Sequence, residues 1–239
     1  MSIIIQDLTK TYNPDTDFPV TAVNDVSLKV EQGEFVAVMG PSGSGKTTLL
    51  NMLGGIDRPC QGRVIIDGTD ITGLPDKALI GFRRDNIGFI FQDFSLLPVL
   101  TAKENVAFVM QLQGRSREAC EARALELLNE VGLGDRIGNV PGKLSGGQQQ
   151  RVAVARALAP QPKFVLADEP TANLDAQTTY GLLDIMQRLN EKEGTTFIFS
   201  THDPRVIERA KRVIVFEDGQ VAEDRCQEVG RSEDADVGN

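Results

Sequence analysis

The sequence predicts an α/β fold with a parallel sheet covered by helices, and three observations carry that prediction. Short β-branched runs recur at 36–39, 64–66, 87–91, 164–167, 196–200 and 213–216, with helical stretches between them. That rhythm belongs to strands joined by covering helices. Between 92 and 160 the strand pattern stops, and apolar residues take helical spacing over 102–110, 117–131 and 146–158, so a helical subdomain is expected as an insertion into the sheet. Finally, a glycine-rich turn at 40–47 joins a strand at 35–39 directly to a helical run at 48–53.

Composition limits what such a fold is used for. The chain has 239 residues, 41% hydrophobic and 25% charged, enough for one large or two small domains with a sizeable core. Its formal net charge of −9 argues against nucleic acid as a partner, because proteins that grip phosphate backbones concentrate Lys and Arg. No apolar run approaches the roughly 20 residues that a membrane-spanning helix needs. The first ten residues lack the basic, apolar and small-residue pattern of a secretion signal, so a cytoplasmic location is expected. Cys60, Cys120 and Cys226 are odd in number and far apart, which reads as free thiols. The stretch 223–239 carries six acidic residues and two arginines and is expected to be a solvated tail.

The segment Gly40-Pro41-Ser42-Gly43-Ser44-Gly45-Lys46-Thr47, followed by Thr48, matches G-x-x-x-x-G-K-[ST] in the context that motif requires. Glycines let the backbone curl so that successive N–H groups point inward, and the following helix adds its positive end, which orients several donors toward a polyphosphate. Lys46 is then expected to reach the β- and γ-phosphates, and the Thr47 hydroxyl to ligate Mg²⁺. A plain strand-to-helix turn would match by chance on the order of one time in a hundred at ordinary glycine frequency.

The strand at 164–167 runs into Asp168 and Glu169, placing two carboxylates at the strand edge where α/β proteins bind ligands. Asp168 suits a second Mg²⁺ contact, direct or through water. Glu169 suits a general base that orients or deprotonates an attacking water. His202, the one histidine in the chain, and Gln92 also follow predicted strands; each by itself would be unremarked.

Taken with Leu144-Ser145-Gly146-Gly147-Gln148-Gln149-Gln150-Arg151, these pieces resemble the ABC ATPase family, whose signature is LSGGQ. Serine and glycines opening a helix leave a hydroxyl and N–H groups able to meet a γ-phosphate. The resemblance implies a P-loop NTPase (RecA-like) core with a parallel sheet, an antiparallel β edge and an inserted helical subdomain. It places the ATPase domain at 1–222, with the core at about 1–91 and 161–222, the helical subdomain at about 92–160 and the acidic tail at 223–239. It further implies that Ser145, Gly146, Gly147 and Gln148 of one copy close over ATP held by the phosphate loop of another, in a head-to-tail dimer.

Residue by residue, Gln92 matches the family's glutamine sensor near Mg²⁺ and the attacking water. Asp175, in Asn173-Leu174-Asp175, matches the loop that links the two sites. His202 matches the histidine that contacts the γ-phosphate, and Tyr12 the aromatic residue that stacks on adenine, with Phe18 a weaker candidate. The run Phe35-Val36-Ala37-Val38-Met39-Gly40, the Leu96-Leu97-Pro98 triplet and Ala167-Asp168-Glu169-Pro170 look like the MacB, LolD and FtsE branch, with Ala172 where glycine is commoner.

The expectation is an ATP-hydrolysing subunit, with Mg²⁺ as cofactor, that drives a separate FtsX/MacB-like membrane permease in export or lipoprotein release. It would sit peripherally on the cytoplasmic face of the membrane, docking through a groove near 92–100. The rivals are an ATPase that signals through a permease without transport, and a soluble ABC-type ATPase acting on DNA or ribosomes. DNA-repair members would need a long coiled-coil insertion and translation factors a tandem domain, and neither stands in this sequence.

Overall fold

The computed structural model describes residues 2–227. In chain order the elements are β1 (Ser2–Tyr12), β2 (Val20–Glu31), β3 (Phe35–Met39), α1 (Lys46–Leu53), β4 (Gln61–Ile66), β5 (Thr69–Asp70), α2 (Asp76–Asn86) and β6 (Ile87–Ile90). There follow α3 (Ala102–Leu112), α4 (Arg117–Glu130), α5 (Gly146–Leu158), β7 (Phe164–Asp168), α6 (Ala176–Glu193), β8 (Thr196–Thr201), α7 (Pro204–Arg209), β9 (Arg212–Glu217) and β10 (Gln220–Cys226).

Two sheets form. The larger runs β10-β9-β3-β8-β7-β6; its neighbours pair in parallel except for the antiparallel β9–β10 edge. The smaller runs β2-β1-β4-β5 and is antiparallel throughout. The run at 64–66 therefore belongs to β4 of the antiparallel sheet and not to the parallel one. A short β-branched run is equally compatible with either, and the choice is made by pairing with β1, which is distant in sequence.

Both faces of the parallel sheet are buried, and strand alternation assigns side chains to them. Phe35, Val165, Ala167, Phe197 and Phe199 face the helical layer, where Val106, Leu127, Val152 and Leu182 pack. Val36, Val38, Phe164, Leu166 and Ile198 face the opposite way, onto Ile3, Ile5, Val64 and Leu49. Rings of Phe35 and Phe199 meet at 4.6 Å between centroids, a spacing at which tilted aromatic pairs attract beyond simple area burial.

The helices of the 92–160 stretch begin at side-chain caps. Thr101 and Glu104 form a reciprocal capping box on α3, Ser116 caps α4, and Ser145 with Gln148 forms a second box on α5. Each cap satisfies backbone donors that the first helical turn leaves open.

The acidic-tail boundary needs correction. β10 carries its ladder with β9 to Cys226, four residues into the stretch read as solvated tail. An exposed edge strand has little need of apolar side chains, and here Asp224 pairs with Arg212 at 2.7 Å, so acidic content alone misplaced the boundary. Residues 228–239 of that tail lie outside the described residues.

Candidate functional site

Parallel strands put all their C-terminal ends on one edge, and that edge is the site. In register, Met39 lies beside Thr201 and Asp168 beside Ser200. Gly40, Glu169 and His202, each one step beyond these strand ends, are thereby brought to a common rim, with Gln92 arriving from the end of β6. A cleft of about 640 Å³ opens there, lined among others by Lys46, Thr47, Gln92, Glu169 and His202, within the usual size range of small-molecule sites.

The loop's glycines are required by its shape. Gly45 has φ +102, and a Cβ on it would stand 2.0 Å from the Ala22 carbonyl oxygen. On Gly40 a Cβ would stand 2.0 Å from the Phe216 carbonyl oxygen, so the loop can lie against β2 and β9 only with hydrogen at these positions. Pro41, Ser42, Gly43 and Thr48 also line the cleft, whereas Ser44 turns its hydroxyl inward, buried and unpaired. Lys46 is 7% exposed, and its ammonium donates to the carbonyl oxygens of Gly40 and Pro41 at 2.8 Å each, so the charge is held within the loop that surrounds it.

Thr47 and Asp168 meet across the cleft floor. The Thr47 hydroxyl lies 2.9 and 3.1 Å from the two Asp168 carboxylate oxygens. Ser200 donates to the same carboxylate. Ser200 is a site residue that the sequence does not signal: as a lone serine at the end of an apolar strand it stands out only once β8 is paired with β7.

Glu169 sits at φ +46, a left-handed conformation that costs a non-glycine residue on the order of 1–3 kcal/mol. Its N–H donates to the Ser200 carbonyl at 3.0 Å. One carboxylate oxygen, Oε1, is 2.7 Å from His202 Nδ1; an ionised carboxylate only accepts, so Nδ1 carries the proton. The other, Oε2, is buried with no protein partner. Such an orphaned acceptor marks a place where a hydrogen-bonded ligand or water belongs. The His202 side chain is 69% exposed and Glu169 15%.

Behind the rim, Asp203 caps α7, accepts from Arg205 and takes the Thr171 hydroxyl at 2.9 Å. Burial works against its charge, yet the hydrogen bonds from Arg205 and Thr171 prevail and hold its carboxyl below the usual value. Buried Gln150 of α5 donates to the Pro170 carbonyl at 2.8 Å, tying that helix to the acidic strand end.

Three predicted elements lie off the cleft. Tyr12 is not in its wall: the phenol donates to Asp57 at 2.8 Å, and the Lys10 ammonium stands 5.0 Å over the ring. Burial pushes its pKa up, against a neighbouring Thr48 hydroxyl that lowers it. Asp175 caps α6, accepting from the N–H and hydroxyl of Thr178, bonds that lower its pKa. Ser145, Gly146, Gly147 and Gln148 open α5 away from the cleft, where a Cβ on Gly147 would stand 2.4 Å from the Thr178 methyl.

Among the described residues, no helix is long and apolar enough to cross a membrane, and Cys60, Cys120 and Cys226 are free. A second concavity of about 490 Å³ lies between the sheet and the helical layer, walled by Ile80, Phe89, Phe91, Leu97, Phe108 and Arg156 among others.

Comparison with known proteins places this geometry. A family model described as ABC transporter matches residues 23–172. The macrolide export ATP-binding/permease protein MacB of Rhodopirellula baltica is 47% identical over 91% of this chain but only 32% of its own length, so the chain spans about a third of that relative. The lipoprotein-releasing system ATP-binding protein LolD 1 of Rhodopseudomonas palustris is 46% identical over 89% of this chain and 95% of its own. A dimeric structure of the ATP-binding cassette MJ0796 bound to ADP and Pi superimposes with a TM-score of 0.87 at 43% identity, covering 94% of this chain and 98% of that one. With a glycine cradle, a threonine–aspartate pair and an LSGGQ helix in one fold, and a family match across most of its length, this chain belongs to the ABC transporter family.

Proposed function

We propose that the chain is the ATP-binding and ATP-hydrolysing subunit of an ABC transporter, acting as an ATP-sandwiched dimer on an FtsX/MacB-like permease in export or lipoprotein release. The observation that carries this reading is a division within one chain. Lys46, Thr47, Asp168, Glu169 and His202 converge on one cleft, while the Ser145 helix tip stands outside it and has no phosphate of its own to meet. A second copy turned head to tail supplies that tip, and the dimeric MJ0796 structure supports the arrangement.

Mg²⁺ fits the donor set. Thr47 hydroxyl and Asp168 carboxylate are hard oxygen ligands already within 2.9 Å of each other, and Mg²⁺ characteristically takes one or two such groups together with phosphate oxygens. Gln92 reaches the same cleft from the other side. When bound, the ion neutralises charge on the phosphate oxygens. The chain's own groups do the rest. Loop N–H groups and Lys46 hold the phosphates, Glu169 accepts from the attacking water, and His202, oriented by Glu169 through Nδ1, presents Nε2 to the γ-phosphate.

Opening and closing of the dimer is the output, as hydrolysis removes the charge-assisted contacts that join the copies. The apolar groove between sheet and helical layer, with exposed Ile56, Ile80, Leu97 and Phe108, is the surface through which the motion reaches a permease. Docking there makes the chain a peripheral protein of the cytoplasmic membrane face. The test is MgATP hydrolysis by the full chain together with co-purification of a permease. No hydrolysis, with or without that permease, sinks the reading.

A further inference from the structure

The five residues after β6, 91–95, are held unusually. Phe94 and Ser95 are consecutive non-glycine residues at φ +63 and +45, a conformation that persists only where surroundings impose it. Two anchors do so. Asn173, just beyond the acidic strand end, donates to the Gln92 carbonyl at 3.1 Å. On the other side Arg156 spends its guanidinium on carbonyl groups, donating from Nη2 to Phe94 at 3.0 Å and from Nη1 to Ser95. Burial pulls the Arg156 pKa down, with Asp93 opposing.

Arg156 stands near the end of α5, whose first residue is Gly146. The Phe94 ring lies against that first turn: a Cβ on Gly146 would be 3.6 Å from it. One loop residue is thus attached to both ends of the helix, about 15 Å apart at 1.5 Å per residue. A helix transmits displacement as a rod, so whatever moves its tip moves this loop.

We propose that Arg156 is a positioning residue that fixes the Gln92 loop to the LSGGQ helix, delivering Gln92 into the cleft and passing movement of the helix tip to it. This rests on the ATPase reading above. It goes beyond it by naming the link between the tip that serves the partner copy's nucleotide and the glutamine that serves the chain's own.

The test uses the full chain and two variants. Arg156→Met keeps the packing volume and removes the donors; kcat for ATP is expected to fall on the order of 10- to 100-fold, as misplacement by about an ångström costs, with KM within about twofold. Arg156→Lys retains a donor and recovers part of the loss. A folded Arg156→Met with wild-type kcat, or a loss expressed only as raised KM, overturns the proposal. If Arg156→Met does not fold, Arg156→Lys decides by the same split, wild-type kcat again overturning it.

A second readout needs no hydrolysis. The chain has no tryptophan, so Phe94→Trp puts a single reporter in the loop. Adding Arg156→Met should shift its emission to the red and lower its anisotropy; unchanged emission overturns the positioning role. A wild-type chain that hydrolyses no ATP would count against the ATPase reading alone, since the reporter still reads the loop.

Discussion

Glu169 and His202 are joined carboxylate to imidazole at 2.7 Å across the ends of neighbouring strands, and the second oxygen of Glu169 is left buried without a partner. The pair orients the histidine and leaves one buried acceptor unpaired beside a cleft of about 640 Å³.

Glu169→Gln is therefore expected to cut ATP turnover by about 10²- to 10⁴-fold, the range of general-base catalysis, while ATP still binds. The amide keeps an oxygen for His202 but does not take a proton from water. Phosphate release gives the rate, and size-exclusion chromatography with ATP should show a trapped dimer. Wild-type turnover would remove Glu169 from the catalytic role.

Lys46→Ala acts on binding instead. A charged hydrogen bond contributes roughly 1.5–3 kcal/mol, so the nucleotide Kd should rise about 10- to 100-fold. Calorimetric titration against ATP measures it, and an unchanged Kd would count against the phosphate-loop assignment.

Asp203 makes stability depend on acid. Its carboxyl has a folded pKa below the ordinary 3.8, so its charged form stabilises the fold above that value, and the contribution fades as pH falls through the lower, folded one. Denaturant unfolding of wild type and Asp203→Asn should differ by a constant amount from pH 7 down to about 5 and converge in stronger acid. A gap that widens on acidification would reverse the sign and refute the assignment.

Phe199→Ala probes the sheet. Phe199 is fully buried on the helix-facing side, in ring contact with Phe35, and truncation of such a side chain costs about 3–5 kcal/mol. The urea midpoint should drop with little change in slope. A loss below about 1 kcal/mol would mean that the layer repacks around the cavity.

Much of this site could be read from residue order because its chemistry is local. A strand, a glycine turn and a helix within 35–53 specify the glycine cradle of the cleft, and an apolar strand ending in Asp168 and Glu169 specifies its acidic rim. Capping by Ser145 and Gln148 is likewise a relation between residues three apart. The predicted strands and the helices of the 92–160 stretch followed from apolar periodicity in the same way, with ends displaced by a residue or a few. Val64, Ile65 and Ile66 show the limit, since a β-branched run marks a strand without saying which sheet takes it.

What residue order could not supply is adjacency between distant segments. Ser200 bonds Asp168 because β7 and β8 are in register, and Gly45 is obligatory because Ala22 of β2 passes 2.0 Å from where its Cβ would be. Asp224 belongs to a strand because Ile214 of β9 lies opposite it, with Arg212 two positions along reaching its carboxylate, and Arg156 reaches Phe94 across 62 positions of chain. Local patterns reflect the fixed periods of strand and helix, which every short stretch carries within itself. Long-range partners are chosen only when burial of both sheet faces selects one packing from the many that those periods allow.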